Sequence, residues 1–311
     1  MTDLTGRICL VAGATRGAGR GIAIALGEAG ATVYCSGRST RGSSPPGRPE
    51  TIEETAELVT AAGGKGLHHR CDHLDEAQVK ALVARIKNEH GGLDVLVNDV
   101  WGGDDVVEWS KPMWEQDLAK ARAMFDTAAW SHLLTTRHAA ALMFGRQNPL
   151  LVEITDGDGF GYRGSYFYDL VKFTVMRMAF TLAYELGSRG VTALAVTPGF
   201  LRSEAMLERF KCTEANWRDG TKVEPDFISS ETPRFVGRAV AALAADQRVK
   251  ERAGRTFASW TLAREYGFDD VDGTRPDWGA YFEKKYGAVP AADYTSWRNG
   301  PFELVYGAAP K

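Results

Sequence analysis

The chain has 311 residues, of which 44% are hydrophobic and 25% are charged. This length is enough for one large domain that folds around its own core without a metal or a disulfide. Its 37 basic residues oppose 40 acidic ones, and a net charge of -3 excludes the positive field that attracts nucleic acid or an anionic membrane. We therefore expect neither nucleic acid nor membrane as a partner.

The four cysteines are widely spaced, and no CxxC pair occurs among Cys9, Cys35, Cys71 and Cys212. We predict free buried thiols in a reducing compartment and no metal site. The N-terminal stretch "MTDLTGRICLVAGATRG" is broken by Gly and Arg before an apolar run of signal-peptide length. Nowhere do about twenty uncharged apolar residues follow one another. These patterns predict a soluble, cytoplasmic protein.

Seven short apolar or β-branched runs alternate along the chain with longer amphipathic segments. In order they are "ICLVAG", "TVYCSG", "GLHHRCD", "DVLVND", "LLVEIT", "TALAVTPG" and "RTFASW". Continuous apolar strands alternating with helices are typical of a parallel sheet that is covered on both faces. The pattern predicts an α/β fold, a Rossmann-type doubly wound parallel sheet of about seven strands with helices on both faces.

Two stretches depart from the alternation. Residues 39–50, "STRGSSPPGRPE", are rich in Ser, Pro and Gly and are interpreted as an enlarged loop. From residue 263 the chain becomes rich in aromatic residues, Asp, Gly and Pro. We predict a nucleotide-binding Rossmann domain over residues 1–262 that contains the catalytic site. Residues 263–311 are predicted to be a C-terminal extension of that domain, packed over the core or a neighbouring subunit.

A glycine-rich turn follows the first predicted strand. Gly13, Gly17 and Gly19 form a G-x-x-x-G-x-G pattern before an Ala/Ile-rich helical segment. A helix beginning there points its unpaired N–H groups and positive dipole end toward an anion such as a pyrophosphate. A structural turn is the alternative, but the position after an N-terminal strand favours a dinucleotide site.

The end of the second strand indicates which dinucleotide binds. A site that prefers NAD places Asp or Glu there to hold the ribose 2′-OH, whereas a 2′-phosphate requires a cation. The chain reads "YCSGRSTR", with Arg38 and then Arg41, and Arg16 lies in the glycine turn. Because a guanidinium matches phosphate geometry, NADP(H) is favoured over NAD(H). Solvated surface arginines are the alternative, with Arg41 the weakest of the three candidates.

Tyr168 and Lys172 lie four residues apart in the apolar helical pattern "FYDLVKFTVMRMAFTLAYEL". Positions i and i+4 share a helix face, so both side chains can approach one ligand atom. A neighbouring ammonium favours the phenolate, and we expect Lys172 to lower the pKa of Tyr168 so that it acts as a general acid or base. A second Y-x-x-x-K pair, Tyr281 and Lys285, is interpreted as a solvated helix turn.

Five stretches in this order identify a family resemblance: "AGATRGAG", "CD" at 71 and 72, "LDVLVND", "YDLVK" and "TPGFLRSEAM". Over about residues 5–262 the chain resembles the short-chain dehydrogenase/reductase superfamily. The "GR" after the second strand, the enlarged loop and the long tail are similar to the dehydrogenase/reductase member 1 group, whose substrates are carbonyl compounds and steroids. The resemblance implies an oxidoreductase that assembles as a homodimer or homotetramer.

The resemblance also implies individual roles. Asp72 would hold the adenine amino group, Asn98 would lie beside the cofactor ribose, and Lys172 would bind the nicotinamide ribose as well as assisting Tyr168. The phosphates would be cradled by Gly13, Thr15, Arg16, Gly17, Ala18 and Gly19, and the nicotinamide side would be contacted by Pro198, Gly199 and Ser203.

Three family positions are altered. Trp101 replaces a small glycine, where an indole either walls the pocket or fills space under the tail. Ala128 replaces an asparagine that supports a proton-relay water. The usual serine is replaced by either Thr155 or Asp156, and sequence register alone leaves both open. An aspartate would repel a developing alkoxide but would favour an iminium or amine.

Four hypotheses follow. The first is an NADP(H)-dependent reductase, or the reverse alcohol dehydrogenase, that acts on a medium-sized carbonyl or alcohol. The second is an NADPH-binding sensor or partner protein with impaired catalysis, and an imine-type reductase that uses Asp156 is a further alternative. A dehydratase or epimerase rests on analogy of fold alone. An aromatic substrate site is predicted from Trp101, Phe160, Tyr162, Tyr166, Phe167 and Phe200.

Overall fold

The structure is a computed structural model, and it describes residues 2–45 and 48–290. Across these residues, seven parallel strands form one sheet in the order β3-β2-β1-β4-β5-β6-β7. The strands are β1 Ile8–Ala12, β2 Thr32–Gly37, β3 Lys65–Arg70, β4 Val95–Asn98, β5 Leu150–Ile154, β6 Thr192–Thr197 and β7 Thr256–Ala258. Six of the predicted runs contain one strand each and "GLHHRCD" overlaps β3, which begins one residue earlier, so the doubly wound α/β fold is confirmed.

The helices between the strands cover both faces of the sheet. In chain order they are α1 Gly17–Glu28, α2 Ile52–Ala61, α3 Glu76–His90, α4 Leu118–Phe125, α5 Ser131–Ala139, α6 Tyr166–Gly187, α7 Glu204–Arg209, α8 Pro233–Ala245, α9 Ser259–Tyr266 and α10 Trp278–Tyr286. One face packs against α1, α2 and α8, and the other packs against α3, α5 and α6. The core is therefore two apolar layers separated by the sheet.

The alternation of side chains along β1 shows how one strand supplies both layers. Cys9 and Val11 point into the layer beneath α1 and α8, whereas Ile8 and Leu10 point into the layer beneath α3 and α6. Successive residues of a strand face opposite sides of the sheet, so a strand buried on both faces must be apolar throughout. This explains why the runs of the buried strands were visible in the sequence, whereas β3 lies at the edge of the sheet and is partly exposed.

The strand order reverses direction between β1 and β4. From β1 the chain proceeds outward through β2 and β3, and it then returns to β4 on the other side of β1. Ala12 and Asn98, the last residues of β1 and β4, are partners in the sheet. In doubly wound sheets, ligands bind in the crevice at the carboxyl ends of such a pair.

The predicted division at residue 262 falls inside α9, which runs to Tyr266 and ends at Gly267 in the left-handed conformation. The division into domain and extension stays a prediction, and residues 291–311 of that extension lie outside the described residues. The four cysteines are free and buried, as predicted. Among residues 2–45 and 48–290, no helix combines the length and the apolar character needed to cross a membrane.

Candidate active site

The glycine turn after β1 is shaped by close backbone contacts. Gly13 has a φ of +91°, and a Cβ there would lie 2.4 Å from the carbonyl oxygen of Asp99. A Cβ on Gly19 would lie 2.3 Å from the carbonyl oxygen of Gly13. Any side chain at these positions would force the turn and β4 apart, so the sequence pattern reflects a steric requirement. Ala18 is buried in the first turn of α1 that follows.

Two carboxylates of the chain itself approach the N-terminus of α1. The N–H of Gly17 donates to Oε2 of Glu204 at 2.7 Å, and the N–H of Gly19 donates to the carboxylate of Asp99. Burial raises the pKa of Asp99 to about 7, although Lys172 and His132 oppose the shift. The contacts show the affinity of this helix end for anions. The sequence did not identify Asp99 or Glu204 as residues at this helix end. Asp99 lies in the stretch "NDVW" and Glu204 in "RSEAM", and nothing else in the sequence indicated them.

The three arginines that are candidates to bind a 2′-phosphate differ in their surroundings. Arg41 pairs with Glu57 at 2.6 Å, and Arg16 lies 3.7 Å from Glu50. Arg38 is exposed, and within the described part of the chain no hydrogen bond or ion pair to its side chain is found. The structure therefore leaves the guanidinium of Arg38 available for an incoming anion, whereas that of Arg41 is already paired.

Two further predicted residues lie at this end of the crevice. Thr15 is buried in the glycine turn, and its hydroxyl oxygen would be 2.6 Å from a Cβ on Gly37. Asp72 follows β3, and its carboxylate accepts the backbone N–H of Leu74 at 3.0 Å. Both are thus placed by the ends of the strands that flank the crevice, Thr15 from β1 and Asp72 from β3.

Asn98 is fully buried at the end of β4. Its amide nitrogen donates to Thr136 and to Glu153, each at 2.9 Å, while its Oδ1 has no hydrogen-bond partner among the described residues. The other carboxylate oxygen of Glu153, Oε2, forms a hydrogen bond of 2.7 Å with Nδ1 of His132. A buried carbonyl oxygen without a donor is costly, so Oδ1 is suited to accept a hydroxyl from a ligand or a water.

The catalytic candidates meet where β5 ends and α6 begins. The phenol of Tyr168 donates to Oδ2 of Asp156 at 2.7 Å. Thr155 is buried, and its hydroxyl donates to the backbone oxygen of Lys172 at 2.8 Å. The sequence left two candidates for the position of the family serine. Of these, Asp156 bonds to the Tyr168 phenol, whereas Thr155 bonds to the backbone of α6. The backbone oxygen of Asp156 is held in turn by the guanidinium of Arg163 at 2.5 Å.

The charges around Tyr168 bear on its expected role. Burial and the adjacent Asp156 carboxylate raise the pKa of Tyr168 well above its ordinary value. The effect of Lys172 on this pKa stays a prediction, and in the arrangement seen here the phenol bonds to an anion. Burial lowers the pKa of Lys172, although Asp156, Asp99 and Asp104 oppose the shift. The Lys172 ammonium lies 4.0 Å above the Trp101 ring.

Two indoles surround the phenol. The Tyr168 ring centroid lies 5.7 Å from that of Trp101 and 4.8 Å from that of Trp109. Trp101 thus forms a wall beside the catalytic candidates, and its N–H is held by Asp104 at 2.7 Å. Ala128, the other altered family position, is buried in a π-helical turn between α4 and α5. Such turns are frequent at functional sites.

The loop after β6 also reaches the crevice. The N–H of Gly199, which follows Pro198, donates to Glu231 at 2.9 Å, and burial raises the pKa of Glu231 to about 8. Ser203 caps α7, and its Cβ lies 3.8 Å from the position a Cβ on Gly17 would take. The fold therefore brings the two ends of the predicted cofactor site together.

Of the predicted aromatic side chains, Phe167 packs in the same cluster as Trp101, and its ring centroid lies 5.2 Å from that of Tyr166. Phe200 packs against Phe210, Phe227 and Trp278, and Tyr162 is 67% exposed. The aromatic substrate site therefore stays a prediction. Tyr281 and Lys285 lie on the helix α10, where Lys285 is exposed as the interpretation of a solvated helix turn requires, and both also bind the carboxylate of Asp226. In residues 2–45 and 48–290, no cluster of His, Cys, Asp or Glu has the arrangement of a metal site.

The crevice at the β1/β4 switch point lies where doubly wound α/β proteins bind their ligands, and Tyr168 and Lys172 lie together on α6. Residues 7–213 match the family model for short chain dehydrogenases. The chain belongs to the short-chain dehydrogenase/reductase family.

Two curated relatives match over most of their length. The chain is 33% identical to dehydrogenase/reductase SDR family member 1 of Mus musculus, over 96% of this chain and 93% of the relative. It is 31% identical to the Homo sapiens protein of that name, over 87% and 85%. A crystal structure of a short chain dehydrogenase from Mycobacterium thermoresistibile superposes with a TM-score of 0.74 and 21% identity, covering 99% of this chain and all of that one. That structure supports the fold alone.

Proposed function

We propose that this protein is an NADP(H)-dependent oxidoreductase that transfers a hydride between the nicotinamide and a medium-sized carbonyl or alcohol. The observation that carries the proposal is the position of Tyr168 and Lys172, one turn apart on α6, at the carboxyl edge of the sheet that also forms the glycine cradle. Membership of the family supports the oxidoreductase class. The preference for NADP(H) rests on Arg38.

The crevice fits such a cofactor in three respects. Gly13 and Gly19 leave a cradle that a Cβ would fill, the Asn98 carbonyl oxygen lacks a donor, and Arg38 offers a charged fork. Thr15, Arg16, Gly17 and Ala18 would complete the phosphate end, and Asp72 would hold the adenine. At the other end, Lys172, Pro198, Gly199 and Ser203 would hold the nicotinamide. When bound, the nicotinamide supplies or accepts the hydride.

Tyr168 is the proposed general acid and base. In the reductive direction its phenol gives a proton to the oxygen that gains charge, and in the oxidative direction it takes that proton back. The bond to Asp156 fixes the rotamer of the phenol, because the acceptor lies 2.7 Å away. Lys172 is proposed to orient the ribose. Trp101 and Trp109 limit the access of water to the phenol.

A matched pair of variants tests this role. Tyr168→Phe removes the proton donor and is expected to lower turnover at least about a hundredfold with little change in NADPH affinity. Tyr184→Phe alters another tyrosine of α6, which is 39% exposed and packs on the ring of Phe180, and is expected to keep turnover within about twofold of the unaltered protein. NADPH oxidation with a panel of ketones and aldehydes is the assay, and near-normal rates for Tyr168→Phe would reject the role.

A second candidate function is favoured by the Asp156 contact. A carboxylate beside the phenol stabilises an iminium, and hydride addition to its carbon leaves the former C=N electron pair on nitrogen as a neutral amine. We therefore also test cyclic imines. Replacing Asp156 by Ser is expected to raise ketone turnover and lower imine turnover, while Asp156→Asn separates the effect of charge from that of size. Equal turnover of imines before and after the change excludes this alternative.

The sensor hypothesis makes the opposite prediction for the same assay. A sensor binds NADPH tightly, consumes none with any member of the panel, and changes its affinity for a partner protein.

We propose further that the protein is cytoplasmic and forms a homodimer or homotetramer. Exposed apolar side chains on and beside α5 and α6 support the assembly, since Trp130, Leu133 and Leu170 are 56%, 42% and 38% exposed. Sedimentation as a monomer would refute it.

A further inference from the structure

The chain after α9 connects the two loops that lead to the catalytic candidates. One loop, residues 155–165, runs from β5 to Tyr168 at the start of α6, and the other begins after β6 with Pro198 and Gly199. Because β5 and β6 are neighbours in the sheet, both loops rise from the same edge. We call residues 278–290 the strap.

The strap begins on the loop after β6. The ring of Trp278 lies edge-on to that of Phe200, with centroids 5.7 Å apart. A Cβ on Gly199 would lie 2.8 Å from the Cβ of Trp278. Trp278 therefore packs directly on the backbone of the loop that is proposed to contact the nicotinamide, and glycine is what permits the approach.

The middle of the strap is held by the carboxylate of Asp226. Asp226, in a 3-10 turn between α7 and α8, accepts the hydroxyls of Tyr281 at 2.8 Å and Tyr286 at 2.5 Å, and it also pairs with Lys285. Three donors from one helix on a single acceptor define the position of α10 more closely than one exposed ion pair does.

The strap ends on the loop that precedes Tyr168. The N–H of Phe160 donates to the carbonyl oxygen of Pro290 at 3.0 Å. Cβ atoms on Gly159 and Gly161 would lie 2.8 Å from that carbonyl oxygen and 2.7 Å from a methyl group of Val289. Both ends of the strap therefore pack against glycines. Its N-terminal end contacts Gly199, and its C-terminal end contacts Gly159 and Gly161.

We propose that the strap forms a wall of the substrate site and that its contact with residues 159–161 limits the size of substrate that reaches Tyr168. This inference rests on the proposed function, since it assigns the specificity of that site. A substrate larger than the space beside the strap must displace Val289 and Pro290. The residues that set specificity are therefore far from Tyr168 in sequence, beyond the last strand.

A reversible crosslink tests the proposal. A Cβ on Gly161 would lie 3.8 Å from the Cβ of Val289, which is within the range for a disulfide of about 3.5–4.5 Å. Gly161 does not have a positive φ, and the four native thiols are buried. The double variant Gly161→Cys, Val289→Cys is assayed oxidised and reduced, in full-length protein, with benzaldehyde as the small probe and a four-ring ketosteroid as the large one.

We expect oxidation to lower kcat/KM for the large probe at least about tenfold and to change that for the small probe less than about twofold, with full recovery on reduction. NADPH affinity should stay constant. Equal kinetics in the two redox states would overturn the proposal, and so would failure of the thiols to pair, since their proximity is the premise. If the unaltered protein turns over no carbonyl, the proposed function fails instead.

A second, independent test compares a variant that loosens the strap with a control variant. Asp226→Ala removes the shared acceptor and is expected to raise the ratio of kcat/KM for the large over the small probe by about fivefold. Asp219→Ala is the control, because this carboxylate lies nearby in the chain and bonds to Lys222 and Asn216, which are not part of the strap. A ratio that moves equally in both variants would contradict the assignment.

Discussion

Glu204 occupies the N-terminus of α1, where the proposed cofactor would bind. Its carboxylate accepts the Gly17 N–H at 2.7 Å, and the same N–H belongs to the proposed phosphate cradle. Binding of a pyrophosphate there requires this bond to break. We therefore predict that Glu204→Gln binds NADPH more tightly than the unaltered protein does.

The magnitude follows from the bond. A hydrogen bond to a charged group contributes about 1.5–3 kcal/mol and a neutral one about 0.5–1.5 kcal/mol, and Glu204 is only partly buried, so the lower end applies. The substitution removes about 1 kcal/mol from the competing contact, which corresponds to a Kd lower by about fivefold. Loss of repulsion between the carboxylate and the phosphates acts in the same direction.

NADPH fluorescence titration measures the Kd. Glu208→Gln is the matched control, since Glu208 lies on the same helix and pairs with Arg48 at 2.7 Å. We expect the Kd of this control to stay within about twofold, because no cradle N–H is involved. An unchanged or weaker affinity for Glu204→Gln would refute the competition.

Three further predictions concern the crevice and its support. Arg38→Glu should weaken NADPH binding by about tenfold or more and NADH binding far less, whereas Arg41→Glu should do neither, as two titrations would show. Gly13→Ala should abolish nucleotide binding because its Cβ would meet Asp99, while Gly42→Ala, with φ +81° but open space, should cost stability only. For Glu231, burial raises the pKa from 4.5 to about 8, so the folded state retains a proton that the unfolded state loses. Its contribution to stability is therefore full below pH 4.5 and is lost as pH rises to about 8. Denaturant titrations of Glu231→Gln should lack that part of the decline, and an identical pH dependence would contradict the assignment.

The sequence alone determined the sheet and the cradle. A parallel strand buried on both faces must be apolar throughout, which made the inner strands visible as short runs, whereas β3 lies at the edge of the sheet and is largely polar and exposed. The steric need for glycine at Gly13 and Gly19 likewise leaves a local signature. Tyr168 and Lys172 were paired correctly on one helix face because helical spacing is a local property.

Only the tertiary structure decided what surrounds these groups. The bond between Asp156 and Tyr168 raises the phenol pKa, which helical spacing did not indicate, and only the packing shows that Asp156 reaches the phenol while Thr155 bonds to the backbone of α6. Glu204 at the N-terminus of α1 and the strap on Gly161 join segments far apart in the chain. Electrostatic fields and steric walls arise from packing between distant residues, and no periodicity in a linear sequence encodes such distances.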